Sequence, residues 1–291
     1  MQSIIVFIVV TIIAFAFGTA AGWDSVQVAG YSAFFLCTVI AMVVNWLVFI
    51  PSAIAKSDKF YDTTGAITYL TVTAFACWAA INALGSLDTR AIVLAAMVAT
   101  WCVRLGSFLF IRIHAMGGTD SRFEKIKVNP SRFLVAWTLQ GLWVILTASA
   151  ALVAITSPDP QPIGAFFWIG AAVWLLGITF EAVADAQKSK FKADPANKGK
   201  FIDTGLWRWS RHPNYFGEIT LWTGILIIAI PVLSGLSWLV VISPIFVTLL
   251  LTKVSGINLQ DKQAKERWGD DPAYQEYRRN TPALIPRPPK G

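Results

Sequence analysis

The chain has 291 residues, of which 55% are hydrophobic and only 14% charged, with 13 Trp and 19 Phe. Soluble domains carry roughly 25% charged residues, so this composition excludes a soluble globular chain as well as disordered, collagen-like and disulfide-scaffold classes. The net charge of +7 fits a polytopic membrane protein with basic loops beside anionic lipid or a phosphate-bearing ligand, rather than a nucleic-acid partner.

A membrane-crossing helix needs ~20 apolar residues. Eight runs meet that length: Ser3–Thr19, Val28–Ile50, Ala66–Leu84, Arg90–Phe110, Phe133–Ile155, Ile163–Ala184, Tyr215–Val232 and Gly235–Val254. The expected fold is an all-α integral membrane bundle of about eight helices. Ser234-Gly235, close after Pro231, turns the last two spans into a tight hairpin. Asp62-Thr63-Thr64-Gly65 reads as the cap of the third span. The first run resembles a signal peptide in its small residues Thr19-Ala20-Ala21, but Met1-Gln2-Ser3 has no positive charge, which argues against cleavage.

Lys and Arg test the layout. With a cytoplasmic N-terminus, 22 of the 24 fall on one side: Lys56 and Lys59; Arg112 to Arg132; Lys188 to Arg211; and the segment from Lys253 onward. Only Arg90 lies opposite, and Arg104 sits inside a span, where it needs an acid or a bound anion as partner. The positive-inside rule therefore puts both termini in the cytoplasm. Cys37, Cys77 and Cys102 are scattered in apolar runs without metal-ligand spacing, and read as packing residues. With two histidines, His114 and His212, no multi-histidine metal site is expected, and His114 has no carboxylate spaced to orient it. Nucleotide-loop and hydrolase motifs are missing as well.

The most informative stretch is Gly205–Glu218, G-L-W-R-W-S-R-H-P-N-Y-F-G-E. Pro213 suits the first position of a helix and leaves His212 as its cap. Free backbone N–H groups at that helix start, beside Arg208 and Arg211, make an anion site. Asn214 and Glu218 lie one turn apart, and Glu218 enters an apolar span, where a carboxylate marks function by default. The competing reading, interfacial anchoring by Trp207, Trp209 and the arginines, explains neither Asn214 nor Glu218.

Glu181, Asp185, Lys188 and Lys192 share one helical stripe by their spacings of 4, 3 and 4. The acids suit ribose hydroxyls or an amide, and the lysines suit phosphates; the competing reading is an exposed charge ladder. Lys198-Gly199-Lys200 follows as a flexible basic loop, suited to a terminal phosphate or equally an ordinary cytoplasmic loop. Beyond Asp261, Tyr274 and Tyr277 lie three apart on a short amphipathic helix with Arg278, able to close over an aromatic ligand or to lie against lipid.

At R-H-P-N-Y-F-G-E the chain resembles the steroid 5-alpha-reductase family, specifically its bacterial branch. The resemblance runs from about Asp62 to Pro286 and is densest over E-A-V-A-D, F-K-A-D-P-A-N-K-G-K, Arg211–Glu218 and A-L-I-P. It implies seven family-like helices preceded by one more. The N-terminal transmembrane hairpin would be residues 1–61, and the reductase-like bundle, with cytoplasmic cofactor loops and a C-terminal strap, residues 62–291. Such a protein sits in a bacterial inner membrane, binds NADPH from the cytoplasm and draws a lipid-like substrate from the bilayer.

Carried over residue by residue, the resemblance implies cofactor contacts at Glu181, Asp185, Lys192, Lys200, Asn214, Glu218, Lys253 and Tyr277. The residue reading adds Arg208, Arg211, His212, Tyr215, Tyr274 and Arg278. Steroid-reducing members carry a Gln-Glu pair and a Tyr that polarise the substrate oxo group; this chain has Asp62-Thr63 and Trp101 there. If reduction occurs, Asp62 or Tyr69 supplies the acid.

The first expectation is thus an NADPH-dependent reductase of an activated C=C bond in a steroid- or isoprenoid-like lipid. The second is an S-adenosylmethionine-dependent lipid or isoprenylcysteine-type methyltransferase, whose members share a similar R-H-P-x-Y-x-G segment. Its methyl donor has no phosphate to occupy Lys192 and Lys200. The third is a non-catalytic lipid-binding protein that keeps the cofactor pocket.

Overall fold

The structure is a computed structural model that describes residues 2–115 and 123–289. Eight helical segments are long and apolar enough to cross a membrane, and the described chain is mostly helical, with one two-residue strand pair. It is a multi-pass membrane protein built as an all-α bundle. The chain forms two compact units, Met1–Phe167 with Ile228–Ser243, and Trp168–Ile227 with Pro244–Gly291.

The first unit contains α1 (Gln2–Ala21), α2 (Ala33–Ile54), α3 (Tyr61–Leu84), α4 (Thr89–Ala115) and α5 (Pro130–Ile155). α5 is its core: 83% of its apolar window is buried, against 22–39% for α1 to α4. That follows from its composition, because Gly141 and the run Ala148-Ser149-Ala150-Ala151 let neighbouring backbones approach. Lipid-compatible side chains such as Ile5, Ile12, Leu47 and Ile92 point outward. Polar groups inside the bundle are tied to backbone: Asn45 donates to the Ala41 carbonyl at 2.8 Å, and Gln140 to the Tyr61 carbonyl at 2.9 Å.

Two span starts differ from the sequence reading by more than one helical turn. Val28 lies in a small hairpin, β1 (Gln27–Val28) paired with β2 (Tyr31–Ser32), and α2 begins only at Ala33. The turn residues Ala29 and Gly30 take φ of 49° and 82°, which reverses the chain before Ser32 caps α2. α3 begins at Tyr61, earlier than expected, with Phe60 at its N-cap and no side-chain cap. Asp62 therefore sits inside the first turn, where a carboxylate favours the positive helix end, rather than capping it.

The expected hairpin at Ser234-Gly235 is present. Ser234 and Ser237 form a reciprocal capping box, and Gly235 has φ +44°. Trp23 donates to the Ser234 carbonyl at 3.2 Å, and the Ser234 hydroxyl donates to Asp24 at 2.8 Å. The eighth span is less regular than a plain helix: a 3-10 segment Gly235–Val241, then α8 (Ile242–Leu249), then a π turn Leu250–Val254.

The second unit holds α6 (from Trp168, within Ala165–Ala193), α7 (Pro213–Ala229, as far as Ile227), α8 from Pro244 with its π turn, α9 (Ile257–Trp268) and α10 (Pro272–Asn280). α9 carries five charges in twelve residues, so the apolar stretch of the last span ends before it. α6 and α7 pack antiparallel through glycine. A Cβ at Gly224 would fall on Gly170 and Trp174 backbone, one at Gly177 on Leu221, and one at Gly217 on Glu181.

Candidate functional site

The glycine contacts of α6 and α7 position the acids. Because Gly217 has no side chain, the Glu181 backbone lies directly against α7, and Glu181 and Asp185 are 2% and 7% exposed. Asn214, in the first turn of α7, donates Nδ2–H to Asp185 Oδ1 at 3.2 Å. Glu218 lies one turn further along, half-buried. The stripe on α6 continues to Lys188, whose ammonium stands 4.4 Å from the centre of the Trp207 ring. Lys192, beyond it, is exposed. Trp207 is itself buried and donates its indole N–H to the Ala184 carbonyl at 3.0 Å, so it locks the loop onto α6. Trp209 and Arg208 stay exposed, so interfacial anchoring is open to them and closed to Trp207.

At the start of α7, Pro213 occupies the first helical position as expected and His212 precedes it. The Ser210 hydroxyl accepts from the His212 N–H at 3.1 Å. Asp261 of α9 faces this point. Arg211 Nη1 donates to its two carboxylate oxygens at 2.8 and 3.0 Å, His212 Nε2 lies 3.4 Å from Oδ1, and Arg278 reaches Oδ2 at 3.6 Å. Burial works against the Asp261 charge, but the His212 and Arg211 hydrogen bonds outweigh it and hold the carboxyl low, at about 2. Burial lowers the His212 pKa below its ordinary value, with Lys188 and Arg211 adding to it and Asp261 opposing. Next to it, the Tyr215 ring stacks on His212 at 5.5 Å and 7°, and its hydroxyl accepts from Gln260.

The C-terminal segment closes around the same loops. Tyr277 donates to the Trp207 carbonyl at 2.6 Å and stacks on Phe201 at 5.4 Å; burial pushes its phenol well above the usual range. Tyr274 is buried in the same aromatic cluster with Trp268. The Ser210 hydroxyl donates to the Leu284 carbonyl at 2.8 Å, and the Arg287 N–H to the Trp209 carbonyl at 3.0 Å, so A-L-I-P is a strap along the loop. Lys198-Gly199-Lys200, expected to be flexible, is pinned where Trp268 donates to the Gly199 carbonyl at 2.5 Å. Both lysines remain exposed, as does Lys253 on the π turn.

The arrangement offers two kinds of polar group to a ligand. Buried carboxylates suit ribose or amide donors, and the exposed cations suit phosphates. Two buried atoms near the α7 start, His212 Nδ1 and Arg211 Nε, have no hydrogen-bond partner among the described residues. Among the described residues, no group of three or more His, Cys, Asp or Glu side chains is placed to hold a metal ion.

The proposed acids lie in the first unit. Asp62 and Tyr69 are two turns apart on α3 and half-buried, and Tyr69 meets the Trp101 ring edge-on at 5.2 Å. An apolar groove of about 430 Å³ runs between α3 and α4, lined by Thr63, Ala66, Leu70, Cys102, Gly106 and Phe110 among others. The side chains of Arg112 and His114, and Arg122 as a whole, lie outside the described residues. Sequence reasoning missed Asp261, Phe201 and Gln187, whose Oε1 accepts from the Leu206 N–H at 2.9 Å beside Gly205. The one available signal was Asp261, an acid in the first polar turn after an apolar span.

An uncharacterized protein of Schizosaccharomyces pombe is 26% identical over 228 residues, covering 68% of this chain and 64% of its own. A probable O-methyltransferase of Ustilaginoidea virens is 31% identical over 102 residues, 30% of this chain and 36% of its own. The chain thus spans less than two thirds of the length of either relative. No solved structure matches it. A family model described as a protein of unknown function, DUF1295, matches residues 48–281, most of the chain and all of the α6–α7 site: the protein belongs to the DUF1295 family.

Proposed function

We propose that the chain is an NADPH-dependent reductase of an activated C=C bond in a steroid- or isoprenoid-like lipid. The observation that carries this reading is the assembly, in one unit, of buried acceptors at Glu181 and Asp185 with the exposed cations Lys192, Lys198, Lys200 and Arg208. A ligand with both ribose hydroxyls and several phosphates uses all of them. Asp185 and Asn214, with Glu218, would orient the ribose or amide end; the lysines and Arg208 would take the phosphates. Tyr274, Tyr277, Arg278 and Lys253 would border the site. NADPH, when bound, supplies a hydride for the β-carbon of the enone, and the protein supplies position and a proton. Asp62 or Tyr69 would provide that proton. The apolar groove between α3 and α4 supports a lipid substrate.

The second reading, an S-adenosylmethionine-dependent methyltransferase acting on a lipid or isoprenylcysteine, is favoured by the similarity to a probable O-methyltransferase. Thermal unfolding of the detergent-purified chain with NADPH, NADH or S-adenosylmethionine separates the two. A ligand at ~100 times its dissociation constant stabilises by ~2.7 kcal/mol, a readily measured shift. Stabilisation by NADPH, lost in Asn214→Ala and followed by consumption of NADPH with an enone lipid, supports the reductase. Stabilisation by S-adenosylmethionine alone overturns it.

A further inference from the structure

Asp261 lies 49 residues from His212 in sequence, yet Nε2 of that imidazole faces its carboxylate at 3.4 Å. An ionised carboxylate can only accept, so the hydrogen bond demands a proton on Nε2. In a neutral ring the lone pair is then on Nδ1. That atom is buried, on a residue 4% exposed, and has no hydrogen-bond partner. The adjoining Arg211 shows the complementary pattern: its Nη1 is committed to the same carboxylate, and its buried Nε–H has no acceptor. A buried polar atom without a partner is costly, and a ligand that supplies the partner recovers that cost. An unpartnered acceptor at Nδ1 calls for a ligand N–H donor, such as that of a primary carboxamide.

We infer that Asp261 is a positioning residue that holds His212 as its Nε2–H tautomer, so that Nδ1 accepts a hydrogen bond from an N–H donor of the bound ligand. The ligand part of this inference rests on the dinucleotide reading above, in which the carboxamide is that of the nicotinamide. The charged and titratable groups around the ring are Asp261 on α9, Arg211 before it, Lys188 on α6 and Tyr215 on α7, with Arg278 of α10 acting on Asp261 and Tyr274 of α10 on both Asp261 and Arg211, to which it is hydrogen-bonded. Tyr215, stacked on the imidazole, covers one face of the ring and leaves the in-plane Nδ1 lone pair to the ring edge.

The chain has two histidines, so ring-15N-histidine labelling of the full-length protein in detergent gives two ring systems, and His114→Gln assigns the other to His212. At pH 7.5 the His212 ring is expected to be neutral, with a proton-free Nδ1. A protonated Nδ1, in either the other tautomer or the imidazolium, overturns the inference without any variant of Asp261 being needed. Asp261→Ala should release the ring to a mixture of tautomers and weaken NADPH binding about tenfold in a melting titration. NADPH should move the Nδ1 resonance of the wild-type chain. If NADPH raises the melting temperature but leaves Nδ1 unmoved, the ligand contact is overturned and the cofactor reading stands. If S-adenosylmethionine moves Nδ1 and NADPH neither moves it nor stabilises the chain, the reductase reading falls and the positioning role of Asp261 stands.

Discussion

Asn214 and Asp185 meet at 3.2 Å, amide donor to carboxylate acceptor, and join the first turn of α7 to the stripe of charged residues on α6. The bond matters because Asp185 is 7% exposed, so a lost donor is not replaced by bulk water. Asn214→Leu should lower stability by about 1–3 kcal/mol, seen as a lower melting temperature, and abolish stabilisation by NADPH. Unchanged NADPH stabilisation in that variant would remove Asn214 from the cofactor site.

Gly217 tests the packing that brings the acids to α7. Its missing side chain is filled by the Glu181 backbone and the Gly177 carbonyl, neither of which can rotate away. Gly217→Ala should therefore cost about 1–3 kcal/mol through forced separation of the helices. Gly164→Ala, where a Cβ would meet nothing within 4 Å, is the matched control and should leave the melting temperature within error.

Acidification should weaken the fold in two steps. The His212 pKa is lowered by folding, so its stabilisation is complete above the ordinary value of 6.5 and is lost as pH falls toward the folded value. The Asp261 carboxyl drops from 3.8 to about 2, so its contribution is complete above 3.8 and disappears between 3.8 and about 2. Melting temperatures of wild type and His212→Gln between pH 8 and 5 should diverge at the acid end, the wild type losing more. Parallel curves would show that the imidazole does not titrate differently on folding.

The Tyr277 hydroxyl holds the Trp207 carbonyl at 2.6 Å, while the ring stays stacked on Phe201. Tyr277→Phe keeps the stack and deletes the bond, at an expected cost of about 1 kcal/mol. Hydrogen exchange should report it locally, with faster exchange at the Arg211 and Arg287 amides that bind the strap and its loop. Unaltered exchange there would mean that the strap is held without the Tyr277 hydroxyl.

Features set by hydrophobic length and helical period were legible in the chain itself, because both are local properties. Eight apolar runs long enough for a bilayer gave the eight spans, and the spacings of Glu181, Asp185, Lys188 and Lys192 fixed a shared face wherever α6 packed. Pro213 as a helix start and Ser234-Gly235 as a turn were equally local. What needed tertiary structure was every pairing between distant groups. No local rule links Asp261 to His212, or Tyr277 to Trp207 across 70 residues. Nor does composition reveal that Trp207 is buried while Trp209 is exposed. The early start of α3 and the 3-10 and π turns of the last span also escaped it. A helix end is set by the hydrogen bonds available to a few backbone groups, and those depend on what the fold packs beside them.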